Sequence, residues 1–199
     1  MIFDISGHHC MVDLETLDTV PGGVILSIGA VMFNVSGLIP NSEFYTVLNV
    51  QSCKDADLVE SQETLNWWNK QSPDARKVVT DAYYGGTSDK LMFGLGKFSG
   101  YLDRFEAPSI WGNGSDFDNA FLAVAYRKAG LLPPWHYNRN RCFRTLKKLV
   151  GDSVVKPDAQ GVHHTALDDA KYQASYAVSI FQMLNKFNDL LRVENGLRD

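Results

Sequence analysis

Residues Met11-Val12-Asp13-Leu14-Glu15-Thr16 constrain this chain more than any other stretch. They close an apolar run with two carboxylates one residue apart, and on a β-strand positions i and i+2 point to the same face. Asp13 and Glu15 are therefore expected side by side, with Val12 and Leu14 anchoring the strand in the interior. Two like charges held that close repel unless a proton or a cation lies between them. Carboxylate oxygens are the preferred ligands of Mg²⁺ and Mn²⁺, so a divalent cation is the natural complement. The plain alternative is an exposed acidic strand end, and residues further along the chain decide between the two.

At 199 residues the chain is expected to form a single domain over 1–199, large enough to bury roughly 70% of its unfolded surface. An apolar fraction of 45% with 12% aromatics is that of a packed globular protein. The net charge of -4 supplies no global field for polyanions, so any such ligand must be met locally, by metals or a few placed Arg and Lys. Cys10, Cys53 and Cys142 have no paired spacing, which argues against a disulfide framework or a zinc knuckle and for reduced thiols in the cytoplasm. The first residues do not read as a secretory signal, and the longest apolar stretch, Val24 to Phe33, is too short to span a bilayer.

In chain order, His8 to Leu14 reads as a strand ended by the turn residues Thr19 to Gly23. Val24 to Val35 reads as a central strand, Gly37 to Asn41 as a turn, and Glu43 to Val50 as a third strand, together an antiparallel meander. Ser61 starts a short helix, and Ser72-Pro73 starts another with Ser72 as N-cap. A helix over Asp89 to Phe105 precedes a fourth strand at Ser109 to Asn113, and a helix from Phe117 to Ala129 stops at Gly130. Asn138 to Phe143 reads as a fifth strand and Thr145 to Val150 as a short helix. Ala170, Ala174, Ala177, Phe181 and Leu184 form one apolar stripe along a terminal helix. This order predicts an α/β ribonuclease H-like fold, a mixed five-stranded sheet with flanking helices.

Asp116 and Asp118 fall where the fourth strand hands over to its helix, the place where open α/β sheets put their chemistry. Asp116 is assigned the helix cap, which leaves Asp118 in the first turn above a buried Phe117. His164 and Asp169 precede the apolar stripe, at a helix start whose partial positive charge favours the neutral imidazole that accepts a proton. His163 with Asp168 has the same spacing, but Asp169 directly abuts the stripe and the packing favours the second register. Asp13, Glu15, Asp118, His164 and Asp169 then map to one edge of the sheet. Four converging carboxylates without basic partners are self-repelling, and two divalent cations about 3.5–4 Å apart relieve that while serving in-line displacement at phosphorus.

With these residues the sequence resembles the DnaQ-like, DEDDh family of 3′-5′ exonucleases, over residues 9 to 185. Asp13-x-Glu15-Thr16 is similar to its first motif, Asn113-x-x-x-Phe117-Asp118 to its second, and His164-x-x-x-x-Asp169 to its third. The Met11 to Leu17, Trp67-Trp68 and Trp111 to Asp118 segments resemble small stand-alone phage and prophage exonucleases of the DexA type and a related bacterial exoribonuclease group. Leu17-Asp18 departs from the commoner Thr-Gly, and Asp116 adds an acid to the second motif. The resemblance implies hydrolysis of terminal phosphodiesters to nucleoside 5′-monophosphates, with two Mg²⁺ or Mn²⁺ ions. Asp13 would bridge both ions, Glu15 and Asp169 complete one shell, Asp118 hold the second ion, and His164 act as general base.

Expected substrate contacts are Thr16, Leu17, Asn113, Trp68 and Arg144. Trp67 and Trp68 point about 100° apart on a helix, so at most one can stack a base. Arg139, Arg141, Arg144, Lys147 and Lys148 are the densest basic cluster, either a phosphate track or a solvated face. The expected partner is a single-stranded 3′ end, DNA favoured and RNA the alternative, with no membrane and no obligate protein partner. A silent nucleic-acid-binding module and a nucleotide phosphatase are the rival readings.

Overall fold

The computed structural model describes residues 5–106, 108–158 and 164–194. Three antiparallel strands, β1 (His9–Thr16), β2 (Ile25–Asn34) and β3 (Gly37–Val47), are followed by a helical insert. The insert comprises α1 (Val50–Lys54), α2 (Gln62–Trp68), α3 (Pro73–Tyr84) and α4 (Leu91–Leu102). Then come β4 (Ser109–Gly112), α5 (Asp118–Lys128), β5 (Asn140–Cys142), α6 (Phe143–Val150) and the 29-residue α7 (Ala166–Glu194). The sheet order is β3-β2-β1-β4-β5, with β1-β4 and β4-β5 parallel. This is the mixed five-stranded sheet with flanking helices that the sequence predicts.

Strand alternation sorts β1 into two cores. Cys10, Val12 and Leu14 face a core shared with α1 to α5, while Met11 joins Val31, Phe33 and Trp111 beneath α7. The apolar stripe of α7 is what covers that second face, since Ala170, Ala174 and Ala177 are fully buried. Ser61 and Ser72 cap α2 and α3 through their side chains, and Gly130 ends α5 with φ +72°. All three cysteines are free, Cys142 only half-buried. Among the described residues no helix is long and apolar enough to cross a membrane.

Two local expectations are corrected. Gly37 to Asn41 is not a turn but the start of β3, because the hairpin closes at Val35-Ser36. Pro40 is accommodated because β3 is an edge strand, and the register shifts opposite the segment around Asn41, whose φ is +55°. Asp116 does not cap α5. The cap position is Phe117, with no side-chain cap bond, and Asp116 stays exposed.

Candidate active site

Asp13 and Glu15 occupy the α7-facing row of β1, opposite Gly29 and Ser27 of β2. The N-terminal turn of α7 lies directly on Gly29. A Cβ there would come within 2.2 Å of the Ala166 carbonyl carbon and 2.3 Å of the Leu167 nitrogen. Only a glycine lets the helix start descend to the level of the carboxylates. Gly112, at the end of β4, does the same for α5, since a Cβ there would lie 2.7 Å from an Asp118 carboxylate oxygen. Two glycines therefore set how closely the helix starts carrying Asp169 and Asp118 approach β1.

Glu15, His164 and Asp169 each offer a ligand atom, and these atoms lie within 4.8 Å of one another. The His164 backbone N–H donates to Asp169 Oδ2 at 3.1 Å, with His164 in the left-handed region at φ +64°. Asp118 is the first residue of α5 and is 3% exposed. Thus Asp13, Glu15, Asp118, His164 and Asp169 come together, not at a sheet edge, but over the C-terminal half of the central strand β1. His163, the alternative histidine, lies outside the described residues.

The electrostatics follow from burial of like charges, with Arg144 the cation that acts on Asp118. Burial, and then the charges of Asp118, Glu15 and Asp169, holds the Asp13 carboxyl well above the ordinary carboxylate range, with Gln173 opposing. Glu15 is pushed up to about 8 by burial and by Asp169 and Asp118. Asp118 is pushed up to about 7 by burial, against the pull of nearby backbone amides and the Arg144 guanidinium. Beside these acids, Asn113 Oδ1 and Gln173 Oε1 are buried and accept no hydrogen bond among the described residues. A carboxylate-rich donor set with one imidazole beside it and spare buried amide oxygens fits a divalent cation.

Gln173 is a residue that sequence reasoning missed. Its Nε2 donates to Asp13 Oδ1 at 2.7 Å from a position one helical turn after Asp169. The readable signal was a single amide set between Ala170 and Ala174 in an otherwise apolar stripe.

The expected substrate contacts divide. Thr16 is 7% exposed, and its hydroxyl donates to the Asp18 carbonyl at 2.6 Å. It lines a cleft of about 330 Å³ together with Leu14, Glu15, Thr64, Trp67 and Phe117. Leu17 is fully buried in the core, so its side chain cannot reach a ligand. The register shift between Glu15 and Thr16 reverses the alternation and sends it inward. Trp68 is also buried, its indole N–H donating to the Thr16 carbonyl at 2.9 Å. Trp67 is the exposed member of the pair, its ring edge-on to His164 with centroids 5.0 Å apart. Arg144 is exposed and donates to the Asn113 carbonyl at 2.7 Å.

No curated protein matches the chain. Among solved structures, E. coli exonuclease I in complex with a dT13 oligonucleotide aligns with TM-score 0.65 and 13% identity. That alignment covers 94% of this chain and 43% of exonuclease I, so the chain spans less than half of that protein. The nuclease domain of 3′hExo, a DEDDh family member bound to rAMP, aligns with TM-score 0.60 and 17% identity, covering 92% of this chain and 94% of that one. These likenesses establish the fold. The family described as the 3′-5′ exoribonuclease Rv2179c-like domain matches residues 8–181. With its carboxylates gathered on that fold, the chain belongs to the Rv2179c-like 3′-5′ exoribonuclease domain family.

Proposed function

We propose that this chain is a divalent-metal-dependent 3′-5′ exonuclease that removes nucleoside 5′-monophosphates from single-stranded nucleic acid, RNA ahead of DNA. The observation that carries this reading is the convergence of Asp13, Glu15, Asp118 and Asp169 with His164 at buried strand and helix ends. DNA is favoured on the sequence alone, and the exoribonuclease description of the family supports RNA instead. The narrower likeness to DexA-type enzymes rests on the motif residues Met11 to Leu17 and Trp111 to Asp118.

Asp13 would be shared between two Mg²⁺ or Mn²⁺ ions, while Glu15 and Asp169 would serve one of them and Asp118 the other. Bound there, such ions would supply Lewis acidity toward the attacking water and the leaving 3′ oxygen. His164 accepts the proton of the attacking water at a ring nitrogen. Its backbone bond to Asp169 and the edge of Trp67 fix where the imidazole sits. Gln173 orients the Asp13 carboxylate by donating to Oδ1. The cleft beside Glu15 takes the terminal nucleoside between Leu14, Trp67 and Phe117.

The test is a time course on 5′-labelled single-stranded RNA and DNA of one sequence, with Mg²⁺, with Mn²⁺ and with chelator. The reading expects a ladder shortening from the 3′ end, release of nucleoside 5′-monophosphates, faster loss of RNA, and arrest by chelator. Release of inorganic phosphate from nucleotides with intact oligomers would overturn it.

A further inference from the structure

A second cleft, of about 380 Å³, lies between α6 and α7 and shares no lining residue with the cleft beside Glu15. Its walls bring Arg144, Lys147, Lys148 and Lys156 together with a single carboxylate, Asp152. In a chain whose net charge is -4, this concentrates cations on one surface. Among the described residues none of the four makes an ion pair. The ion pairs among the described residues are made by Lys54, Lys77, Lys97, Lys128 and Lys171. Lys147 lies over the Phe143 ring at 4.7 Å, and burial together with Arg144 and Lys156 lowers its proton affinity. Cations crowded to mutual repulsion mark a place completed by an anion.

Arg144 ties this cleft to the carboxylate site. Its guanidinium donates to the carbonyl of Asn113 and is the cation acting on Asp118. The acids thus have a cleft without cations, lined also by Asp18 and Glu63, on the Glu15 side and the basic cleft on the Asp118 side. Tyr172, half-buried in the wall of the basic cleft, adds an aromatic ring beside the cations. Spaced cations with an aromatic ring suit a flexible polyanion of phosphates and bases.

We infer that the α6-α7 cleft, through Arg144, Lys147, Lys148, Lys156 and Tyr172, binds the backbone of the single-stranded substrate on the 5′ side of the scissile phosphodiester. The inference rests on the exonuclease reading above, since that reading puts the terminal nucleoside in the cleft beside Glu15 and leaves the rest of the strand to the other side of the acids. It assigns chain-length preference to α6: the cleft is empty with a dinucleotide and filled with a longer strand.

The experiment compares the wild-type protein, Lys147→Gln/Lys156→Gln and a control of Lys90→Gln, a cation outside the cleft. Affinity for a fluorescein-labelled single-stranded 12-mer is read by anisotropy in chelator over a salt series. KM for the 12-mer and for a dinucleotide is then read with Mg²⁺ or Mn²⁺. Gln keeps most of the stem that packs on Phe143, and thermal melting checks that the variants fold. In the double variant, 12-mer affinity is expected to fall about tenfold, and its salt slope to become shallower by about 0.7 per cation removed. The ratio of dinucleotide to 12-mer KM is expected to shrink toward one, while Lys90→Gln keeps the wild-type ratio. A folded double variant with wild-type affinity and salt slope would overturn the inference, as would a wild-type protein that does not bind the 12-mer. Cleft-dependent binding of a strand that is never cut would instead overturn the catalytic reading and leave the cleft standing.

Discussion

The seam between β1 and α7 has two ends built to opposite rules. At one end His9 is buried among Phe33, Trp111 and Phe181, with ring centroids 5.2, 5.9 and 4.9 Å away. Its polar atoms are matched: Nδ1 accepts the Trp111 indole N–H at 3.1 Å, and Nε2 lies 3.4 Å from the Ile5 carbonyl. At the other end, two residues past Met11 on the same face, the row turns acidic at Asp13 and Glu15 and meets Asp169 and Gln173. There the fold gathers like charges and, among the described residues, leaves Asn113 Oδ1 and Gln173 Oε1 without donors. One end is complete as a protein interior; the other, on the function proposed above, is completed by cations. Stability and chemistry are thereby assigned to different ends of one strand.

The contrast can be broken at either end, and the largest effect is expected at the acidic one. Asp13→Asn should remove metal-dependent nuclease activity, a loss on the order of 10⁴-fold, measured by release of mononucleotides. Because it also deletes a buried like charge, the same variant should melt higher than wild type in chelator. A lower melting temperature there would mean that Asp13 is structural. Next, His164→Ala should lower kcat by about 10²–10⁴-fold while Mn²⁺ affinity persists. Loss of Mn²⁺ binding in that variant would make the imidazole a ligand and not the base.

At the apolar end, Phe181→Ala should cost about 3–5 kcal/mol of stability by urea unfolding, while the folded fraction keeps its turnover. A turnover defect at constant folded fraction would show that the two ends are not separable. A graded effect concerns pH. Glu15 and Asp118 titrate near 8 and 7 when folded, against ordinary values of 4.5 and 3.8. The folded state binds these protons more tightly than the unfolded chain, so metal-free stability should be highest below the ordinary carboxylate range. It should decline as pH rises toward 8. Saturating Mg²⁺ should flatten that decline, as read by melting temperature across pH 4 to 8.

Much of this was readable from residue order, because strand alternation and helix periodicity are local. Asp13 and Glu15 share a face by the period of two, and Ala170 to Phe181 share one by the period of the helix. What was not readable depends on contacts made across the fold. The register shift after Glu15 sent Leu17 into the core against the simple alternation. Gly29 and Gly112 look like ordinary strand glycines until α7 and α5 are laid on them. Trp67 and Trp68 could not be ranked because helical geometry says only that they diverge. Their order was set by the Trp68 bond to Thr16, 52 residues earlier in the chain.

The most direct test of a site left for cations is a calorimetric titration of Mn²⁺ into metal-free protein at pH 7, repeated in buffers of different ionisation heat. The account predicts saturable binding with net release of protons from the carboxylates, and loss of both in Asp13→Asn. A folded protein that takes up no Mn²⁺, or binds it without releasing protons and equally well as Asp13→Asn, would contradict it.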